Sequence, residues 1–255
     1  MTNNNRPLAI ETKGLCKSFG SISAVRDLDL AVAEGELFAL LGVNGAGKTT
    51  TIRMLTCLTP PSAGEAYVMG HHTTRESAAV KQLTGLSPQE TAVAANLTVR
   101  ENLLLMAGLY GAAGQDAADK TETMIARLGL GEVAERRARH LSGGWQRRLS
   151  IAMGLISDPA VLFLDEPTLG LDILARRELW ELLRALRGKT CIVLTTHYLE
   201  EAEALADRIG IMSGGTLVAV GTAKELCALA GTARFEDAFV ALATAKNSTV
   251  RGDLA

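Results

Sequence analysis

Three short stretches of uninterrupted apolar side chains stand out along the chain, at residues 37–41, 161–164 and 191–194. An unbroken run of this length suits a strand of a parallel sheet covered on both faces, because neither side of the pleat then meets water. Between these runs the period changes. Over residues 173–187, Leu179, Leu182, Leu183 and Leu186 recur at helical spacing, with Arg176, Arg177, Glu178 and Arg184 among the polar positions. That pattern predicts an amphipathic helix with one buried stripe. Alternation of buried strands with amphipathic helices predicts an α/β core built on a mostly parallel sheet.

Two regions depart from the alternation. Residues 8–34 read as two strands around a Phe19-Gly20-Ser21 turn, an antiparallel β flap. Residues from about 95 to 150 show no strand pattern: an apolar stretch at 103–110, a loose Gly-Ala-Ala-Gly segment and a helical stretch at 120–130 predict an inserted helical lobe. The expected organisation is a single domain over residues 1–255. Residues 1–89 and 151–230 form its core and flap, 90–150 a helical subdomain, and 231–255 a C-terminal helix, amphipathic at 235–243, with a polar tail.

Composition narrows the function classes. The 26 Lys and Arg nearly cancel the 28 Asp and Glu, which argues against a nucleic-acid binder relying on clustered positive charge. Hydrophobic residues make up 47% and charged residues 21%, enough for a sizeable core. Mean hydropathy is mildly positive at +0.17, yet no apolar run is long enough to form a membrane-spanning helix. The polar start carries no secretory signal pattern. The cysteines Cys16, Cys57, Cys191 and Cys227 are far apart in sequence and form no CxxC pair, so structural thiols in a reducing compartment are expected.

The chemistry begins after the first apolar run. Gly42-Val-Asn44-Gly45-Ala46-Gly47-Lys48-Thr49 matches the phosphate-binding pattern GxxxxGK[ST], preceded by a strand and followed by a helical run at 50–58. Glycines let successive backbone N–H groups turn inward on phosphate oxygens, and the helix N-terminus adds its own donors. Lys48 would reach the outer phosphates, and the Thr49 hydroxyl would ligate Mg²⁺. The second run ends in Asp165-Glu166-Pro167, two carboxylates at the carboxyl end of a buried strand, where α/β sheets bind ligands. Asp165 is placed to hold Mg²⁺, and Glu166 to orient or deprotonate an attacking water.

Leu141-Ser142-Gly143-Gly144-Trp145 opens a further helical run and resembles the LSGGQ signature of the ATP-binding-cassette (ABC) ATPases, with Trp145 where the family has glutamine. Further family elements fall in order. Gln89 resembles the glutamine of the loop joining core and helical lobe, Asp172 the loop that crosses to a second cassette, and His197 the histidine that contacts the γ-phosphate. Phe19 resembles the aromatic that stacks on adenine. Each has an ordinary alternative: Gln89 as polar surface, Asp172 as a helix N-cap, His197 as a strand-end cap, Phe19 as core. His71, His72 and His140 read as solvated or capping residues.

The resemblance implies a fold, a P-loop NTPase core with antiparallel flap and helical lobe, and ATP with Mg²⁺ as cofactors. It implies nucleotide contacts from Phe19, Asn44, Gly45, Ala46, Gly47, Lys48, Thr49 and Thr50, and from Ser142, Gly143, Gly144 and Asp172 across a head-to-tail dimer. Catalysis falls to Glu166, His197, Gln89 and Lys48, and the metal to Thr49, Gln89 and Asp165. Val99-Arg100-Glu101-Asn102-Leu103, Gly108-Leu109-Tyr110-Gly111 and Phe235-Glu236-Asp237-Ala238-Phe239 resemble cassettes of ABC-2-type drug-resistance and nodulation exporters. The expected function is therefore the ATP-hydrolysing subunit of such an exporter. Its expected partners are transmembrane permease subunits and a second cassette, at the cytoplasmic face of the membrane and without nucleic acid. A soluble ABC ATPase acting on ribosomes or DNA is the alternative, though such proteins usually carry two cassettes or a long coiled coil.

Overall fold

The computed structural model describes residues 6–245. The start of the chain and the expected polar tail beyond the last helix lie outside the described residues. Two sheets organise the molecule. The larger uses β3 (Leu37–Leu41), β6 (Thr84–Ser87), β7 (Val161–Asp165), β8 (Cys191–Thr196), β9 (Arg208–Ser213) and β10 (Thr216–Gly221), in the order β10-β9-β3-β8-β7-β6. Its neighbours pair in parallel except β10, which runs antiparallel to β9.

The flap is larger than the sequence suggested. β1 (Leu8–Phe19) and β2 (Ile22–Ala33) form the expected hairpin, and β4 (Ala63–Val68) and β5 (His71–His72) extend it to four strands in the order β2-β1-β4-β5. Of the two roles expected of His72, solvated or capping, it takes the capping one: it is buried, its Nδ1 accepts from the Thr74 and Arg75 N–H groups at 3.2 and 3.3 Å, and its ring meets Tyr67 edge-on at 5.2 Å.

The unbroken apolar strands separate two cores. Leu37, Ala39 and Leu41 of β3, Leu162 and Leu164 of β7, and Ile192 and Leu194 of β8 face one hydrophobic cluster. Phe38 and Leu40, Val161 and Phe163, and Cys191 and Val193 face the other. This is the period-two alternation of a strand with both sides buried. Burial pushes the Cys191 thiol up to about 12, which makes it an inert packing group.

The first cluster is completed by α3 (Val99–Leu109), α4 (Gly114–Arg127) and α5 (Gly143–Leu155) of the helical lobe. It also takes residues from α6 (Ile173–Leu186), α7 (Leu199–Leu205), α8 (Ala223–Ala230) and α9 (Phe235–Ala245). The second is completed by the flap, α1 (Lys48–Leu55) and Val80 of α2 (Ser77–Leu83). Several boundaries move from their expected places. α1 starts at Lys48 and ends at Leu55, not at 58. α4 begins at Gly114 and takes in the end of the supposedly loose glycine segment. α3 starts at Val99 because Thr98 and Glu101 form a capping box there.

α5 lies close on β6. A Cβ on Gly85 would stand 1.9 Å from the Gly154 carbonyl oxygen, so only glycine permits this approach.

Candidate active site

Strand register brings the site together. β7 and β8 align Asp165 with Thr195, and β3 and β8 align Leu41 with Thr196. The strand-end residues Asp165, Glu166 and His197 therefore leave the sheet beside the loop that begins at Gly42. The Gly42 N–H donates to the Thr196 carbonyl at 3.2 Å, which ties the start of that loop to the end of β8.

The loop turns into α1 through Gly47, whose φ of 101° lies in the left-handed region. A Cβ there would stand 2.5 Å from the Ala24 carbonyl oxygen. α1 has no side-chain N-cap, so the first N–H groups of the helix are available to an anion.

Lys48 is 5% exposed, and its Nζ donates to the carbonyls of Gly42 at 2.8 Å and Val43 at 3.3 Å. It also lies 3.2 Å from Glu166 Oε1, an ion pair withdrawn from water. The Thr49 hydroxyl donates to Asp165 Oδ1 at 3.0 Å. The Thr195 hydroxyl donates to the same oxygen at 2.5 Å and accepts from the Glu166 N–H at 2.9 Å. Glu166 holds a φ of 48°, rare for a side chain of its size, and its carboxylate turns toward the loop. Its second oxygen, Oε2, lies 2.6 Å from His197 Nδ1.

Asn44 to Thr50, Gln89, Glu166 and His197 line one cleft of about 470 Å³, with Ile22, Ser23, Ala24 and Leu169 completing its wall. Phe19 is not among its lining residues. It sits at the end of β1, 52% exposed and paired in register with Ile22, with Lys17 Nζ 5.1 Å from its ring. Ser142, Gly143 and Gly144 are not in this cleft either. They open α5, and Gly143 lines a separate shallow cleft with Gln89, Arg147 and Leu169 to Leu171. Asp172 is exposed and caps α6 by accepting from the Ala175 N–H at 2.9 Å.

Two supporting residues escaped the sequence reading. Thr195 is fully buried and joins Asp165 to Glu166. Arg147, 4% exposed on α5, donates to the carbonyls of Pro88 and Gln89, each at 2.6 Å. Burial lowers the Arg147 pKa, while the charges of Asp165 and Glu201 act to raise it. An arginine just past a glycine-rich helix start carries no local signal. Its role becomes visible only when the loop around Gln89 folds against it.

A phosphate-shaped loop on a helix N-terminus, a buried lysine and paired strand-end carboxylates define a P-loop nucleotide-hydrolysing protein. The family model described as "ABC transporter" matches residues 25–169. A daunorubicin resistance ATP-binding protein of Streptomyces coeruleorubidus is 43% identical over 229 residues, covering 89% of this chain and 72% of that protein. A solved ATP-binding subunit of an ABC transporter superposes with a TM-score of 0.82 at 28% identity, covering 92% of this chain and 99% of that one. A dimeric ATP-binding cassette in a post-hydrolysis state, bound to ADP and Pi, superposes with a TM-score of 0.75 at 27% identity, covering 84% and 98% respectively.

The chain belongs to the ABC transporter family. It is an ATP-binding and ATP-hydrolysing cassette that powers an ABC exporter. The alternative of a soluble ATPase on ribosomes or DNA finds no support in these relatives. Among the described residues no helix is long and apolar enough to cross a membrane.

Proposed function

We propose that the loop at Asn44 to Thr50 holds the triphosphate and that Glu166 and His197 carry out hydrolysis beside it. The observation that carries this reading is the convergence on one cleft of the buried Lys48 ammonium, the Thr49–Asp165 pair and the Glu166–His197 pair. Lys48 exchanges the carboxylate and carbonyls around it for oxygens of the outer phosphates. Glu166 orients and polarises the attacking water, and the 2.6 Å contact with His197 fixes the aim of its carboxylate. The Thr49 hydroxyl, the Asp165 carboxylate and the Gln89 amide oxygen are hard oxygen donors of the type Mg²⁺ takes. These residues would hold the ion, which would supply neutralisation of phosphate charge. Phe19, half exposed at the mouth of the hairpin, offers a face to adenine.

Ser142, Gly143 and Gly144 close the cleft of a second copy, with Asp172 crossing between the two. Ser142 makes no side-chain cap to its own helix, and a Cβ on Gly143 would meet open space, so this helix start is shaped for a ligand it does not reach within its own chain. The dimeric neighbour bound to ADP and Pi supports the pairing of two cassettes.

The membrane partner we assign is a pair of ABC-2-type permease subunits at the cytoplasmic face. The groove between Leu58, Lys81, Pro88, Met106 and Tyr110 borders the Gln89 loop and is largely apolar, which suits a docked permease segment. The helical subdomain at 90–150 and the core at 1–89 and 151–230 then meet at that groove. Phosphate release from ATP, together with identification of the protein that co-purifies with the chain from membranes, tests this reading. A membrane protein is expected; ribosomes or DNA in its place would overturn the exporter assignment.

A further inference from the structure

His197 borders two clefts. One is the Lys48 cleft; the other is lined by Arg176, Tyr198, Glu200 and Arg234. On that second side the imidazole lies against the ring of Tyr198, with centroids 4.1 Å apart and planes tilted by 39°. The opposite end of the stack is closed by Arg176, whose guanidinium carbon lies 4.6 Å from the Tyr198 ring centroid. Among the described residues Arg176 Nε is buried without a hydrogen-bond partner, and the guanidinium rests against the Tyr198 ring.

Arg176 stands one turn beyond Asp172, in the first part of α6. One turn further on the same face, Trp180 Nε1 donates to Glu201 Oε1 of α7 at 3.3 Å. The Tyr198 N–H donates to the Thr196 hydroxyl at 3.0 Å, which pins the backbone between His197 and α7. Helix α6 therefore grips the segment around His197 at two successive turns.

The geometry points to Tyr198 and Arg176 as positioning residues for hydrolysis. The column Arg176–Tyr198–His197 sets the direction in which the imidazole meets Glu166, and makes that direction follow the position of α6. A shift at Asp172, the N-cap of α6, then reaches Glu166 through ring contacts without passing through the nucleotide. This inference rests on the proposed hydrolytic roles of His197 and Glu166.

Steady-state ATP turnover and equilibrium ATP binding of the full chain test it, with Tyr198→Leu, Tyr198→Phe, Arg176→Met and His197→Ala compared with the unaltered protein. Tyr198→Leu removes the stack and is expected to lower kcat about five- to tenfold, with ATP affinity within about twofold of the original. Tyr198→Phe keeps the ring and is expected to retain turnover. Arg176→Met keeps the stem and loses the cation, for a drop of about threefold. Unchanged kcat in Tyr198→Leu, an equal loss in Tyr198→Phe, or ATP affinity that falls in step with kcat would each overturn the column. Should Tyr198→Leu not fold, Arg176→Met decides, and unchanged turnover in it overturns the inference. His197→Ala separates the two levels: normal turnover there removes the hydrolytic reading itself, whereas its loss beside an active Tyr198→Leu removes only the column.

Discussion

Replacing Glu166 with Gln keeps the length of the side chain and its place beside Lys48 and His197 but removes its charge. ATP binding should persist while turnover falls by about 10²- to 10⁴-fold, read as phosphate release against nucleotide affinity; wild-type turnover would remove Glu166 from its role. Lys48→Ala acts on the other half of the pair, deleting the charge offered to the phosphates. ATP affinity should weaken by about tenfold or more, and unchanged affinity would contradict the placement of Lys48. At this scale the sequence was most legible where the backbone itself is constrained. Gly47, Lys48, Thr49, Asp165 and Glu166 stand at fixed offsets from strand ends, and the fold brings them together as those offsets require. Thr195 and Arg147 were not legible, because each acts through a partner distant in sequence that only strand register or loop folding supplies.

Secondary-structure elements were legible in proportion to their burial. β3, β7 and β8 are buried along their whole length and read as unbroken apolar runs. β6 is four residues with two hydroxyl side chains, and β9 and β10 carry a glycine or half-buried positions, so neither period nor hydrophobicity marks them. Gly85 shows what such a modest strand contributes, since its missing Cβ lets α5 sit on the sheet. Gly85→Ala should lift the C-terminal end of that helix and cost about 1–3 kcal/mol, visible as a lower denaturation midpoint; an unchanged midpoint would show that the approach is not tight. Helix α7 supplies a pH test. Burial raises the pKa of Glu201, against the opposing hydrogen bond from Trp180 and the charge of Arg176. The native chain thus keeps this proton at a pH where the unfolded chain has released it. The fold loses stability as pH rises above the ordinary value of 4.5 toward the raised native one. Glu201→Gln can still accept from Trp180 and does not titrate, so its stability advantage should widen with pH across that window. A gap that stays constant with pH would refute this account.

For the whole molecule, the parts of the site that one chain leaves apart set the expected assembly. Ser142 to Gly144 open a helix away from the Lys48 cleft, so the closure we propose takes two copies related head to tail. Glu166→Gln with ATP should therefore elute as a dimer in size-exclusion chromatography and return to monomer with ADP; a monomer under both conditions would deny the clamp. The division of the central sheet between two cores has a further consequence for how the protein tolerates change. Side chains on opposite faces of β7, such as Phe163 and Leu164, share no cluster, so destabilising substitutions on the two faces should combine additively where the sites lie more than about 7–10 Å apart, while those in contact within one face couple. Lineages of this cassette can then rework the helical face, which we propose meets a partner, without retuning the flap, which we propose meets the nucleotide. Asp165 and Glu166, at the edge where the faces join, remain answerable to both.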